Sequence, residues 1–327
     1  MKGKLMTSHP PRNLGLDLVR ATEAAALAAT RWMGVGKPDE ADQSAAEAMF
    51  GALNTLDMQG RIVIGEEGKL GVHSPLDSGR MVGTGNGPEV DVVVDPVDGR
   101  RRLAQGHSDA ISVVGVAPRD SMWSPAPAVY MEKIVVDRVA ADAMVAECMD
   151  APAAWTLALV ARVKKKPVRD LVVFVLERPR HEHLVEEIRS AGARVLLRSD
   201  GDIAGAMMAA HPLIDVDLLM GAGGIAEGVI AACAVKALGG MMLGRLAPQT
   251  QEEWAAVRAA GLDTKAVLGC NEMVRGNEIF FAATGITDGL MLEGVRLHGV
   301  EAETESIVLR SETGTRRKIH TVHRMTD

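Results

Sequence analysis

Aromatic residues make up only 3% of this chain, and tyrosine occurs 1 time. A single-strand nucleic-acid platform stacks bases on aromatic rings, so that class has no support here. The formal net charge of -7 also removes the broad positive field that holds nucleic acid without sequence preference. Cysteine occurs 3 times, as Cys148, Cys233 and Cys270, too widely spaced for a CxxC pair or a zinc pattern. These read as buried, reduced thiols. No apolar run approaches the ~20 residues of a membrane span. Residues 1–12 contain Lys2 and Lys4 but no apolar segment of the secretory type. A cytoplasmic location without a membrane partner is therefore expected. The 9 histidines form neither HxH nor HExxH, which leaves zinc-hydrolase chemistry little support, and there is no GxSxG or P-loop.

What remains is a chain of 327 residues, 47% of them hydrophobic, whose core must be built from Ala, Val, Leu, Ile and 18 Met. That length suggests two units. Apolar periodicity predicts helices over 16–33 and 38–56, the second with Pro38 in its first turn and Asp39, Glu40 and Asp42 near its start. Strands are expected at 61–64, 91–94, 110–116 and 130–136, with 71–87 a loop or short hairpin. A second unit is expected to follow a solvated basic linker, Lys164-Lys165-Lys166-Pro167. Its strands fall at 171–176, 195–197 and 216–220, and its helices at 183–191, 202–210 and 225–238. The run Gly221-Ala222-Gly223-Gly224 reads as a glycine turn, and the tail as β-rich, at 279–283, 293–297, 304–309 and 317–323. Strand–helix alternation indicates an α/β unit.

The residues most able to carry chemistry lie at Val90-Asp91-Val92-Val93-Val94-Asp95-Pro96-Val97-Asp98-Gly99. This is a buried-type strand ending in carboxylates, at a proline that cannot extend the ladder and a glycine that permits a sharp turn. Ile62-Val63-Ile64-Gly65-Glu66-Glu67-Gly68 repeats the design. Hard cations such as Mg²⁺ and Mn²⁺ take carboxylate oxygens, water and phosphate, so Glu66, Asp95 and Asp98 form a candidate metal site. Asp42 could reach the same cluster from its helix, and Glu227 opens a helix after the glycine run. Arg100, Arg101 and Arg102 follow the strand end and could be a solvated face or a phosphate clamp. Arg178 and Arg180 sit at a second strand end. Ser199-Asp200-Gly201-Asp202 could cap a helix or accept sugar hydroxyls.

These motifs together resemble the class II fructose-1,6-bisphosphatases, within the lithium-sensitive, magnesium-dependent sugar-phosphatase superfamily. The likeness runs from Arg20-Ala21-Thr22-Glu23 to the tail, through Tyr130-Met131-Glu132-Lys133, Pro179-Arg180-His181, Gly223-Gly224-Ile225-Ala226-Glu227-Gly228 and Thr284-Gly285-Ile286-Thr287-Asp288-Gly289. The resemblance implies a layered α-β-α-β-α fold with two mixed sheets and a metal site in a cleft. It implies a metal-binding α+β domain over 1–165, a sugar-phosphate-binding α/β domain over 166–327, and a homodimer or homotetramer. It implies Mg²⁺ or Mn²⁺ as cofactor and hydrolysis of the 1-phosphate of fructose 1,6-bisphosphate, in gluconeogenesis or the Calvin cycle. Some members also act on sedoheptulose 1,7-bisphosphate.

Carried onto this sequence, the family's metal ligands fall on Asp42, Glu66, Asp95, Asp98 and Glu227. Its substrate contacts fall on Asp98, Gly99, Arg100, Tyr130, Arg178, Arg180, Asp200, Gly201, Asp202 and Gly224. Asp98 replaces a family glutamate and Arg178 a lysine. The larger departure is Arg100, which stands where the family has the threonine that orients the attacking water. A guanidinium has no accepting lone pair and does not serve as a base. Pro38 stands where the family has a lysine, and 68–76 replaces its further catalytic acids, which leaves Glu67 to assist the water, with Glu66 and Asp98. The chain is thus expected to be an active phosphatase; the alternative is a diverged paralogue that binds or senses sugar phosphate.

Overall fold

The computed structural model describes residues 14–65 and 74–325. In chain order the elements are α1 (Leu14–Thr30), α2 (Pro38–Leu53), β1 (Gln59–Ile64), β2 (Met81–Val82), β3 (Glu89–Asp98), α3 (Arg100–Ala104), β4 (Ile111–Pro118) and β5 (Tyr130–Val136). Then come α4 (Ala153–Lys164), β6 (Val172–Leu176), α5 (Glu182–Ser190), β7 (Arg194–Arg198), α6 (Asp202–Ala210), β8 (Leu218–Gly224) and α7 (Ile225–Leu238). The chain closes with β9 (Met241–Leu246), α8 (Gln251–Ala259), β10 (Leu268–Gly269), α9 (Cys270–Met273), β11 (Phe280–Gly285), β12 (Arg296–His298), β13 (Glu301–Arg310) and β14 (Thr315–Arg324).

Among the described residues the strands form an 8-stranded sheet, ordered β12-β13-β11-β4-β3-β1-β2 with β14 paired to β13, and a 6-stranded sheet ordered β10-β9-β5-β8-β6-β7. Both are mixed: β1 runs parallel to β3, and β6 runs parallel to both β7 and β8, while the other pairs are antiparallel. Three apolar cores hold five layers together, the middle one reaching both sheets. Ala-rich α1 and α2 close over one face of the first sheet, where Leu18, Met49, Val92 and Val114 meet. Helices α6 and α7 fill the space between the sheets, with Val93 and Phe281 from one side and Phe174 and Leu219 from the other. Helices α4 and α5 cover the outer face of the second sheet through Leu157, Ile188 and Val175. The result is the expected α-β-α-β-α stack. Continuous burial of α7 follows from its middle position: Val229, Ile230, Ala231, Ala232, Cys233 and Ala234 are all enclosed.

Several local expectations need correction. Gly221–Gly224 is the end of β8, paired antiparallel with Tyr130–Lys133 of β5, and not a turn. Lys164 and Lys166 are not a solvated linker. Lys164 ends α4 and pairs with Asp137 at 3.0 Å and Asp217 at 3.1 Å, and Lys166 meets Asp217 at 2.8 Å. The sheets do not part at residue 165 either: β5 lies before it yet sits in the second sheet, and β11 to β14 return from the tail to the first. Helices α4 and α8 and strand β9 had no sequence-based counterpart. All three cysteines are buried and free, as read, and burial pushes the Cys233 thiol up to about 12 and Cys270 to about 11. No helix among the described residues is long and apolar enough to cross a membrane.

Candidate active site

Strand β3 is apolar on both faces because helices cover the first sheet from both sides, so the acids at its end enter a desolvated place. Asp95 and Asp98 are 2% and 4% exposed. Pairing with β4 slips between them, a bulge at Pro96 that re-aims the chain. Asp95 Oδ1 accepts the Val97 N–H at 3.1 Å. Asp98 Oδ2 accepts the Ala204 N–H at 2.8 Å, in the first turn of α6. Gly201 stands at the N-cap of α6 and has no side chain to supply that bond, so Asp98 provides it across the gap between the sheets. Burial, and then the charge of Asp95, raise the Asp98 carboxyl well above the usual carboxylate range; the Ala204 N–H acts the other way, and Asp200 and Asp202 add to the rise.

Gly99 turns the chain at a φ of 92, a left-handed value that suits glycine. The arginines that follow divide. Arg102 is buried and structural, its Nε donating to the Ser108 carbonyl at 2.7 Å. Arg100 and Arg101 remain at the cleft, with Arg100 Nη1 donating to Asp39 at 3.3 Å and the Arg101 N–H donating to Asp200 Oδ2 at 3.4 Å.

The second sheet supplies the facing wall. Arg178 Nη1 donates to the Ser199 carbonyl at 2.5 Å, and its Nη2 stands 3.8 Å from Asp200. Arg180 donates to the Ala222 carbonyl at 2.8 Å and lies over the Tyr130 ring, 5.2 Å from its centroid. His181 is the fixed point beneath them. Its Nδ1 lies 2.7 Å from the Leu176 carbonyl and its Nε2 accepts the Ala222 N–H at 2.8 Å, which defines a neutral ring with the proton on Nδ1. Burial lowers its pKa, in keeping with that state. The glycines of β8 explain themselves by close approach. A Cβ at Gly223 would strike Asp202 and the Lys133 ammonium, and one at Gly224 would strike Glu227 Oε2.

These walls enclose a cavity of about 580 Å³. Its lining includes Asp95, Asp98, Gly99, Arg100, Tyr130, Arg178, Arg180, Asp200, Asp202, Gly224 and Glu227, and Gly65, which directly follows β1. Gly201 lies just behind, with the site of its Cβ 4.0 Å from Asp98 Oδ2. Asp42 is buried on α2, a helix that packs on α3 and β3, and is not in the described lining. Glu66 and Glu67 lie outside the described residues. Among the described residues, no three His, Cys, Asp or Glu side chains close on one point. The donor set nevertheless suits a hard cation: Asp95, Asp98 and Glu227 present only carboxylate oxygens to one cavity, and the mutual repulsion of Asp95 and Asp98 is what a divalent ion would relieve.

Two supporting residues escaped sequence reasoning. Lys133 is 1% exposed and ion-paired with Asp202, so the acid expected to accept sugar hydroxyls already has a cationic partner. The signals for Lys133 were its place in the Tyr130-Met131-Glu132-Lys133 motif and directly before the apolar run Ile134-Val135-Val136, neither of which named its partner. Glu253 follows Thr250 in a capping pattern, and the Thr250 hydroxyl does accept the Glu253 N–H at 3.1 Å. The Glu253 carboxylate instead accepts from Val129 N at 2.8 Å, Tyr130 N at 2.9 Å and Gln249 N at 2.8 Å, and so fixes the backbone from which Tyr130 enters the cavity.

Comparison with known proteins agrees with this geometry. The family model for bacterial fructose-1,6-bisphosphatase, glpX-encoded, matches residues 12–323. The class 2 fructose-1,6-bisphosphatase of Haemophilus influenzae is 39% identical over 97% of both chains. The fructose-1,6-bisphosphatase 1 class 2 of Escherichia coli K12 is 37% identical over 95% of both. A match of this extent, over a site of this composition, makes the chain a member of the glpX-type bacterial fructose-1,6-bisphosphatase family.

Proposed function

We propose that this protein is a metal-dependent phosphatase that removes the 1-phosphate from fructose 1,6-bisphosphate. The observation that carries the reading is the polarity of the cavity: Asp95, Asp98 and Glu227 share it with Arg178, Arg180 and Tyr130. A bisphosphate needs such a pairing, cation-seeking oxygens for the phosphate that reacts and fixed guanidinium groups for the one that stays.

Asp95, Asp98 and Glu227 would hold Mg²⁺ or Mn²⁺, with Asp42 and Glu66 completing the set. Bound there, such an ion supplies Lewis acidity toward the phosphate and toward water. The chain's own residues do the rest. Arg178 and Arg180 bind the distal phosphate, and the stacking of Arg180 on Tyr130 limits its freedom. Asp200 and Asp202 accept sugar hydroxyls, with Asp202 held in place by its ion pair with Lys133. Gly99 lets the backbone and Arg100 approach the reacting phosphate. Arg100 acts there as a donor only, so the proton of the attacking water goes to Glu67, the acid next to the metal-holding Glu66.

With fructose 1,6-bisphosphate and either Mg²⁺ or Mn²⁺, the purified protein is expected to release one inorganic phosphate per sugar and to stop when EDTA removes the metal. Fructose 6-phosphate should yield none. Absence of release with both metals contradicts the proposal.

A further inference from the structure

Behind the cavity, and not in its wall, lies Asp109. It is 5% exposed and holds a left-handed backbone with φ 71, a conformation that costs a non-glycine residue energy and persists only where its surroundings impose it. Its peptide group is packed between the two glycine turns of the cleft. The site of a Cβ on Gly99 is 3.7 Å from the Asp109 carbonyl oxygen, and that on Gly201 is 3.8 Å from it. The Asp109 N–H donates to the Asp288 carbonyl at 3.0 Å. Its carboxylate gathers three separate segments: Oδ1 accepts the Leu290 N–H at 3.1 Å, while Oδ2 accepts Arg198 Nε at 3.3 Å and lies 3.6 Å from Arg102 Nη2.

Those partners belong to opposite halves of the site. Arg102 is in α3, which continues from the turn that carries Asp98 and Gly99 in the first sheet. Arg198 ends β7 of the second sheet and precedes the segment that carries Asp200 and Asp202. One buried carboxylate therefore ties the cation-seeking side of the cleft to its sugar side. We infer that Asp109 is a positioning residue that sets the span between the two ends of the cleft, and so the fit of a substrate that must reach both. This rests on the bisphosphatase reading. The residue touches neither phosphate; it acts by holding Arg102 and Arg198 at one separation.

Asparagine tolerates a left-handed backbone and keeps an oxygen for the Leu290 N–H, but loses the charge that joins the two arginines. Asp109→Asn and Arg198→Gln are to be compared with the parent on fructose 1,6-bisphosphate and on p-nitrophenyl phosphate, which has no second anion and uses only the cation-seeking end. Melting temperatures are measured alongside. The expected result is a fall of about tenfold or more in kcat/KM for the bisphosphate, carried by KM, with the aryl phosphate rate nearly unchanged. If Asp109→Asn does not fold, Arg198→Gln decides alone. Equal losses on both substrates, or no loss on either, overturn the inference and leave Asp109 a stability residue. A parent protein inert toward both substrates overturns the bisphosphatase reading, and the inference with it.

Discussion

Asp98→Asn should lower kcat for fructose 1,6-bisphosphate by about 10³-fold, equivalent to ~4 kcal/mol in the barrier, while leaving the metal-free protein at least as stable as its parent. The two halves of this result have one cause. Asp98 is enclosed beside Asp95, and burial and repulsion raise its pKa well above the ordinary carboxylate value. A raised folded-state pKa means that the ionised carboxylate opposes folding: the cost is absent below the unfolded pKa and grows as pH rises through the folded one. Asparagine removes that cost and keeps an oxygen for the Ala204 N–H. What it removes from the proposed function is a negative ligand for the cation. Thermal melts in EDTA across pH, with kcat in Mn²⁺, check both halves. A metal-free variant that melts well below the parent at neutral pH would show that Asp98 serves the fold first.

Lys133→Met has the opposite signature. Lys133 and Asp202 neutralise each other beneath Gly223, with side chains 1% and 9% exposed. Removal of the ammonium strands a buried carboxylate, a change that costs about 3–5 kcal/mol. Urea titration is expected to show that loss in Lys133→Met and its recovery for the most part in Lys133→Met combined with Asp202→Asn, since an apolar and a neutral side chain no longer leave a buried charge alone. Activity should not return in the double variant, because Asp202 lines the cavity and is proposed to accept a sugar hydroxyl. A single variant as stable as the parent would mean that the pair contributes little, and that Asp202 finds its partner in solvent or substrate.

The contrast between these two sites also explains how much of the protein its sequence disclosed. Asp95 and Asp98 were legible because local chemistry declares them: an apolar run, a proline, a glycine and acids at a strand end allow few alternatives. Helices α6 and α7 were legible for the same reason, since each begins after a glycine and carries a long apolar run, 203–210 in the first and 228–235 in the second. Gly221–Gly224 misled because glycine usually marks a turn, whereas here its lack of a side chain lets β8 pass close to His181, Asp202 and Glu227. Lys133, Asp109 and Glu253 gave little signal, because their partners are remote in sequence: Asp202 for the first, Arg198 for the second, Tyr130 for the third. The interleaving of the two sheets was hidden likewise. A strand's apolar pattern says that it is buried, but not which sheet it joins, and β5 and β11 went to sheets that chain order alone would not have chosen.

Crystals grown with Mn²⁺ and measured at its absorption edge would put the cation-site account to its hardest trial. An anomalous peak about 2.1 Å from carboxylate oxygens of Asp95, Asp98 and Glu227 is the predicted result. Crystals of active protein that show no peak in this cavity, or show the metal held elsewhere while these acids keep to protein partners, would contradict it.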